Sequence, residues 1–168
     1  MATKSKNTNS AAAAVEIVDR PLQEIIAESY VSFALFVISE RALPSVFDGF
    51  KPSARKALWS GLHAGLLPTK EHRKMPFWIG TAAATFYEYG DSALEEVLIG
   101  LEAWHKLNIP FVNGSGTWSG PDNRAGSARY ISGRLADAGF AAVAEVDEGA
   151  VPMKLNYEGV LELSLIHI

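Results

Sequence analysis

The sequence predicts an α+β fold, because apolar residues recur at helical spacing through the first two thirds and a loop-rich, partly extended region follows. Helical spacing is clearest near residues 22–37 and 92–104. Residues 113–127, NGSGTWSGPDNRAGS, then have the composition of a loop, and the segment after them is typical of a strand leading into a helix. Hydrophobic residues make up 48% and charged residues 20% of the 168-residue chain, which suits one buried core.

The N-terminal region divides into a tail and a helical arm. Residues 1–18 are too polar for a signal-peptide core, and we expect a disordered tail. Asp19 can cap a helix with Pro21 in its first turn, so residues 19–40 are predicted to form the arm. No apolar run reaches the roughly 18 residues that a membrane span needs. We therefore expect a cytoplasmic protein that makes no membrane contact.

Three shorter helices are predicted next. Pro52 suits the first position of a helix that ends near Gly65, and residues 76–89 are weakly helical. Ser92 and Glu95 have the spacing of a capping box at the start of another helix. These last two helices, joined by a short turn, have the outline of a helix-turn-helix. The apolar face of the helix after Ser92 is predicted to consist of Leu94, Val97, Leu98, Leu101 and Trp104.

Composition excludes several kinds of site. The chain has no cysteine, so disulfides, thiolate nucleophiles and cysteine-based zinc sites are absent. None of its four histidines pair at i, i+4, and we predict no metal site within the chain. The formal net charge of −4 argues mildly against nucleic-acid binding. Residues 41–74 nevertheless form a basic segment within this acidic chain.

Four blocks of sequence carry a family resemblance. They are RALPSVFDGFKPSARKAL (41–58), GDSA (90–93), FVNGSGTW (111–118) and SARYISGRL (127–135). In this order and spacing they resemble the A subunit of type IIA topoisomerases, the family of DNA gyrase and topoisomerase IV. The resemblance runs from about Tyr30 to Gly159, and the final LSLIHI does not fit it.

The resemblance implies a domain plan and a catalytic residue. It implies a winged-helix breakage-reunion domain over residues 41–150, with residues 151–168 as the start of a truncated tower region. The position of the family's catalytic tyrosine is occupied by Tyr130, which would become joined to a 5′ phosphate of DNA. Arg129 and Arg41 match basic residues around the reacting phosphate. A phenol with a pKa of about 10 needs such cations to stabilise its phenoxide.

Further positions match the family's DNA contacts. The resemblance implies contacts with DNA from Lys51, Arg55, Lys56, Tyr89 and Ser92. Ser92 and Glu96 occupy the positions where the family holds quinolone drugs. One departure concerns chemistry: the family carries two histidines where this chain has Tyr87 and Tyr89. A phenol cannot carry positive charge near neutral pH, so Tyr89 cannot replace an imidazolium.

The resemblance also implies cofactors and partners. Double-stranded DNA would be the substrate, and a B-type subunit would bind ATP and hold most of the Mg²⁺. A double-strand break needs two tyrosines, hence a homodimer within a heterotetramer. The alternative is a non-catalytic winged-helix DNA-binding module. A meiotic-type or archaeal topoisomerase relative and a domain without DNA function are further alternatives, and the RALP and DGFKP blocks favour the A-subunit family over the former.

Overall fold

The computed structural model describes residues 19–85, 87, 90–144, 153–155 and 161–163. Helices and short antiparallel strands occur together, so the predicted α+β class is confirmed. Intrachain contacts divide the protein into two compact units, Met1–Leu35 and Phe36–Ile168. The predicted tail, 1–18, lies outside the described residues, as does most of 151–168.

The elements follow one another in a simple order. A π-helical segment, Ile38–Ala42, separates the first helix from the second. The helices and strands, in chain order, are α1 (Leu22–Val37), α2 (Pro52–His63), β1 (Arg73–Lys74), α3 (Met75–Thr85), α4 (Asp91–Glu102), β2 (Val112–Ser115), β3 (Ser132–Leu135), α5 (Asp137–Val143), β4 (Met153–Leu155) and β5 (Leu161–Leu163). Strands β1, β2 and β3 form an antiparallel sheet in the order β1-β3-β2, and β4 pairs with β5.

Helix α1 continues into a π-helical turn and is largely exposed along its length. Its regular part ends at Val37, and the π-helical turn that follows is closed by a bond from the Leu43 N–H to the Ile38 carbonyl (3.3 Å). No residue of α1 is buried. The continuous helix Leu22–Ala42 has a mean hydropathy of 1.4 in its most apolar window, so length and composition alone would let it cross a membrane. The helix contains no uninterrupted apolar run of 18 residues, because Glu24 and Glu28 interrupt it. These two residues lower the mean hydropathy only moderately.

Helix α2 has the predicted boundaries. Pro52 is its first residue, where the missing N–H leaves no helical bond unmade. At the other end Gly65 has a φ of 69°, a left-handed conformation that side chains disfavour. This turn lets the Leu66 N–H reach the Gly61 carbonyl (2.9 Å) and close the helix.

The core lies between α2, α3, α4 and the three-stranded sheet. Trp78 of α3 is fully buried, and its indole N–H donates to Ser60 Oγ (2.8 Å) and to the Ala57 carbonyl (3.2 Å) of α2. The polar edge of this large side chain is thereby satisfied in an apolar environment. Other fully enclosed members of the core are Leu58, Met75, Leu94, Leu98, Ile131, Leu135 and Val143.

Helix α4 starts earlier and ends sooner than predicted. Gly90 is its N-cap and Ser92 its second residue, with no side-chain capping bond, so the predicted Ser92–Glu95 capping box is wrong. The Ala93 N–H bonds to the Gly90 carbonyl (3.0 Å), which moves the first turn two residues back. Leu94, Leu98 and Leu101 are buried as predicted. Trp104 is 66% exposed instead, because the helix ends at Glu102 before Trp104 can join that face.

Two helical glycines provide a test of this packing. A methyl group added at Gly139 in α5 would overlap the Phe111 carbonyl, whereas one added at Gly100 in α4 would meet open space. We expect Gly139→Ala to destabilise the protein by about 1–3 kcal/mol through overpacking. Gly100→Ala should be neutral or stabilise by up to about 1 kcal/mol, because alanine favours helix. Urea unfolding followed by tryptophan fluorescence measures both, and equal midpoints for the two variants would contradict the packing described.

Candidate nucleic-acid interface

Tyr130 lies on the surface at the end of a turn. Its N–H donates to the Ser127 carbonyl (2.8 Å), and the residue is 69% exposed. Strand β3 begins two residues later, at Ser132. The backbone at Tyr130 is therefore held by the fold while the phenol is accessible to a large partner.

The residues after Tyr130 alternate between buried and partly exposed positions. Ile131 is fully buried, and its carbonyl accepts a bond from the Met75 N–H (3.1 Å) at the start of α3. Gly133 and Leu135 are buried as well, whereas Ser132 and Arg134 are partly exposed. Side chains alternate between the two faces of a strand. Ser132 and Arg134 thus lie on the solvent side of the sheet, and Tyr130 is exposed in the turn just before them.

The loop before Tyr130 is packed against the sheet by Trp118. The indole N–H donates to the Ser115 carbonyl (3.3 Å), and the ring covers the backbone of Gly114 and Gly133 so closely that a Cβ at Gly114 would overlap it. Trp118 is itself buried, so it acts here as a packing residue. A bond from the Gly126 N–H to the Thr117 carbonyl (2.9 Å) closes the loop.

Arg129 places a positive charge beside the phenol. Its guanidinium carbon is 5.7 Å from the centroid of the Tyr130 ring, and Arg129 is exposed. This distance is within the range of a cation–π contact. The Arg129 cation therefore lies beside the exposed Tyr130 ring.

Arg41 and Lys51 occupy a different part of the surface. Arg41 belongs to the π-helical turn, and Lys51 is the exposed N-cap residue of α2. Arg41 lines a groove of about 450 Å³, and Tyr130 is not among the residues that line it. The other lining residues are Glu40, Pro52, Ser53, Tyr87, Ala93, Glu96 and Val97. The structure therefore groups Arg41 with Tyr87 and Glu96, and groups Tyr130 with Arg129.

Arg55 and Lys56 are placed differently from the sequence expectation. Both are buried, with exposures of 5% and 4%, so neither presents a charged surface to a DNA backbone. The Arg55 guanidinium donates to Asp48 from Nε to Oδ2 (2.7 Å) and from Nη2 to Oδ1 (2.9 Å). It also donates to the Phe50 carbonyl (3.0 Å). This bidentate pair ties the loop before α2 to that helix.

The positions around Gly90 are partly described. Ser92 is exposed in the first turn of α4, next to the groove residue Ala93. Tyr87 is buried, and its N–H donates to the Ala82 carbonyl (2.9 Å). The predicted DNA contact of Tyr89 lies outside the described residues. Tyr87 thus brings an enclosed phenol to a position where the family carries a histidine.

Metal ligands do not converge in the described part of the chain. Within residues 19–85, 87, 90–144, 153–155 and 161–163, no three histidine or carboxylate side chains form a group that could hold a metal ion. Mg²⁺ is usually held by one or two carboxylates together with substrate phosphates. The described residues therefore contain no three-ligand protein cage for a metal ion.

Sequence reasoning overlooked the outer face of the three-stranded sheet. Lys74 pairs with Ser132 across β1 and β3, and Ser115 pairs with Ser132 from the other side. Asn113 pairs with Arg134 in the next row of the same face. The alternation of buried and exposed residues after Tyr130 was a signal for this face, but the residues on it could be known only from the strand register.

Comparisons with known proteins agree on one family. The family model for the A subunit of DNA gyrase and topoisomerase IV matches residues 41–162, which is more than half of the chain. The DNA gyrase A subunit of Rickettsia prowazekii is 32% identical over 139 residues, covering 82% of this chain and 15% of the relative. The DNA topoisomerase 4 A subunit of Pseudomonas aeruginosa is 30% identical over 145 residues, covering 85% and 19%. The chain thus spans less than a fifth of the length of these relatives.

The buried ion pair predicts a large loss of stability when one partner is removed. Asp48→Asn leaves the Arg55 charge buried without its carboxylate, and we expect a loss of about 3–5 kcal/mol. Glu28→Gln is the matched control, because it removes the carboxylate of the exposed Arg20–Glu28 pair (2.6 Å). That change should cost at most about 1 kcal/mol. Urea unfolding compares them, and similar small losses would mean that the buried pair is not an important constraint.

Glu102 predicts a pH dependence of stability. Burial raises the pKa of its carboxyl from 4.5 to about 6, and Oε2 has no hydrogen-bond partner among the described residues. The folded state therefore binds the proton more tightly than the unfolded state. The resulting contribution to stability is complete below pH 4.5 and is lost as the pH rises through about 6.

Glu102→Gln should remove this contribution, because its amide cannot ionise. The urea midpoint of the unmodified protein should fall relative to that of Glu102→Gln between pH 4.5 and about 6, and the difference should be constant above about 7. A difference between the two midpoints that does not change with pH would show that Glu102 is not the group responsible.

Proposed function

Because the chain belongs to the A-subunit family of DNA gyrase and topoisomerase IV, we propose that it is the DNA-breaking segment of a type IIA topoisomerase, with Tyr130 as the nucleophile. The main support for the proposal comes from the exposure and surroundings of Tyr130. Tyr130 follows a tightly bonded turn, is 69% exposed and has the Arg129 guanidinium beside its ring. A phenol held in this way can meet a phosphodiester that is too large to enter a cavity.

The order of elements supports a winged-helix architecture for the segment. Helices α3 and α4 are consecutive and joined by a short connection, as in a helix-turn-helix. They lie in sequence between β1 and β2, and β3 returns between those two strands in the sheet. In this proposal α4 approaches the DNA with its N-terminal turn, where Ser92 is exposed.

The proposed reaction is a reversible exchange of phosphodiester bonds. The Tyr130 oxygen forms a bond to phosphorus while the bond from phosphorus to the 3′ oxygen breaks, leaving a 5′-phosphotyrosyl strand and a 3′ hydroxyl. The phenol loses its proton and the departing 3′ oxygen gains one. The number of ester bonds is unchanged, so the 3′ hydroxyl can attack in reverse and release Tyr130. Arg129 would stabilise the negative charge that develops on phenoxide and phosphate.

The cations proposed to contact phosphate are those whose side chains are exposed. Arg41 and Lys51 are exposed before α2, and we propose that they contact phosphates near the reacting one. Since Arg41 lines a groove that does not include Tyr130, a second copy of the chain or the bent path of the duplex would bring the two groups to one phosphate. We leave Arg55 and Lys56 out of the DNA contacts, because both are buried.

The complete reaction would need further components. One tyrosine cuts one strand, so we propose a homodimer that works with two copies of a B-type subunit. That partner would supply ATP hydrolysis and hold Mg²⁺, whose charge would assist at the phosphate. The matched relatives are five or more times longer than the aligned part, so strand passage is proposed for the whole assembly. A cytoplasmic location is part of this proposal.

Tyr87 favours a second candidate function, a DNA-binding module without cleavage activity. It is buried where the family carries a histidine, and Tyr89 occupies the other histidine position. A phenol can donate a hydrogen bond but cannot act as an imidazolium near neutral pH. If proton transfer requires that histidine, Arg129 and Arg41 alone would bind phosphate without promoting attack.

Tyr130→Phe distinguishes the two candidates. The chain is combined with a B-type subunit, Mg²⁺ and labelled duplex DNA, and reactions are stopped with detergent so that protein–DNA adducts can be separated on a gel. The unmodified chain should form a covalent adduct, and Tyr130→Phe should lose it completely, because the attacking oxygen is absent. DNA affinity should change by less than about twofold, since the phenol supplies no charge. Absence of any adduct with the unmodified chain would favour the binding module.

A further inference from the structure

The outer face of the three-stranded sheet is polar and continues to Tyr130. Ser132 and Arg134 lie on this side of β3, at alternate positions after Tyr130. Lys74 joins the first row through its pairing with Ser132, and Asn113 joins the second through its pairing with Arg134. The face therefore presents cations and hydrogen-bonding groups next to the proposed nucleophile.

Two members of this face are already engaged within the protein. Arg134 donates from Nη1 to the Lys70 carbonyl, which ties β3 to the chain before β1. The His72 ring donates from Nε2 to Asn113 Oδ1 (2.6 Å), because that amide oxygen can only accept. These bonds span the sheet and hold its outer surface in one conformation. They leave Lys74 as the cation with no bond to another side chain among the residues that the structure describes.

Lys74 is close to Tyr130 by strand register. It is exposed and lies directly opposite Ser132, while the exposed Tyr130 is two positions before Ser132, in the turn that leads into β3. The Met75–Ile131 bond (3.1 Å) extends the pairing to the residue next to Tyr130. This pairing places Lys74 and Tyr130 at the same end of β3. The Lys74 ammonium and the Tyr130 phenol can therefore contact neighbouring phosphates of one strand.

Charge around β1 favours an anionic partner. Lys70, Arg73 and Lys74 are exposed there against the single acidic side chain of Glu71. The Arg73 guanidinium carbon lies 5.7 Å from the Phe77 ring centroid, which positions that charge at the edge of the sheet. In a chain with a formal net charge of −4, this concentration of cations is local. A polyanion running past Tyr130 has matching charge along this edge.

We propose that the outer face of the sheet binds the DNA backbone beside the scissile phosphate, and that Lys74 contacts a phosphate next to the one that Tyr130 attacks. The inference rests on the proposed function, since it takes duplex DNA as the partner. It adds a contact from the sheet to those from α4 and from the segment before α2. Lys74 is a positioning residue in this arrangement, because it holds the strand and does not touch the reacting atoms.

The test measures how DNA affinity depends on salt. Binding of the full 168-residue chain to a fluorescent duplex is titrated from about 50 to 200 mM salt, for the unmodified protein, Lys74→Gln and the control Lys106→Gln. Lys106 is also an exposed lysine but lies between α4 and β2. Lys74→Gln should reduce the slope of log affinity against log salt by about 1 and weaken all duplex sequences alike. Lys106→Gln should leave the slope unchanged.

A cross-linking experiment locates the contact independently of affinity. The chain contains no cysteine, so a photoactivatable aryl azide attached to Lys74→Cys or Lys106→Cys occupies one known position. The label at position 74 should cross-link to the nucleotides next to those that become joined to Tyr130, and the label at position 106 should not. Cross-links from position 74 that are spread evenly along the duplex would overturn the placement.

The failure of this inference is distinguishable from the failure of the proposed function. If the unmodified chain binds DNA with a steep salt dependence and Lys74→Gln has the same slope, the Lys74 contact is wrong and the DNA-breaking role stands. If the unmodified chain shows no salt-dependent binding, the proposed function itself is overturned. The inference is supported if the slope of log affinity against log salt is reduced for Lys74→Gln but not for Lys106→Gln, and if position 74 cross-links beside the cleavage position.

Discussion

The burial of Ile131 is the constraint on which the arrangement around Tyr130 depends. Its side chain is enclosed in the core and its carbonyl is bonded to the first residue of α3, so the chain cannot rotate at this point. Tyr130 directly precedes this fixed residue and ends a hydrogen-bonded turn, and its side chain is exposed. Trp118 reinforces this constraint by packing the preceding loop onto Gly114 and Gly133. The hydrophobic core thereby positions a polar group outside it.

The distribution of positive charge explains how an acidic chain can suit a polyanion. Two of its cations, Arg55 and Lys56, are used inside the protein, and Arg55 holds the loop before α2 through Asp48. Several exposed cations lie instead in the π-helical turn, at the N-cap of α2, at the β1 edge and in the turn at Arg129. A net charge of −4 averages over these separate regions. Electrostatic attraction acts over about 8 Å in physiological salt, so a phosphate responds to the local group and not to the sum.

Two tyrosines, Tyr87 and Tyr89, stand at positions where the resemblance to the A-subunit family implies histidines. Tyr87 is buried in the floor of the groove that Arg41 and Glu96 line, so it contributes shape and a hydroxyl there but no positive charge. Arg41 keeps a permanent charge in the same groove. In the proposed cleavage reaction, proton transfer would therefore have to be carried by solvent or by another group.

The sequence by itself determined the family, the α+β class, the boundaries of α2 and the apolar face of α4 up to Leu101, because these depend on local periodicity, on Pro52 and Gly65, and on four ordered motifs. Tertiary structure decided what local patterns cannot encode. The Asp48–Arg55 pair turned an apparent DNA contact into an internal bond, and the strand register brought Lys74 to the face of Tyr130. Burial and cross-strand pairing join residues that are distant in sequence, so the availability of a charged group to a partner is known only once the chain has folded.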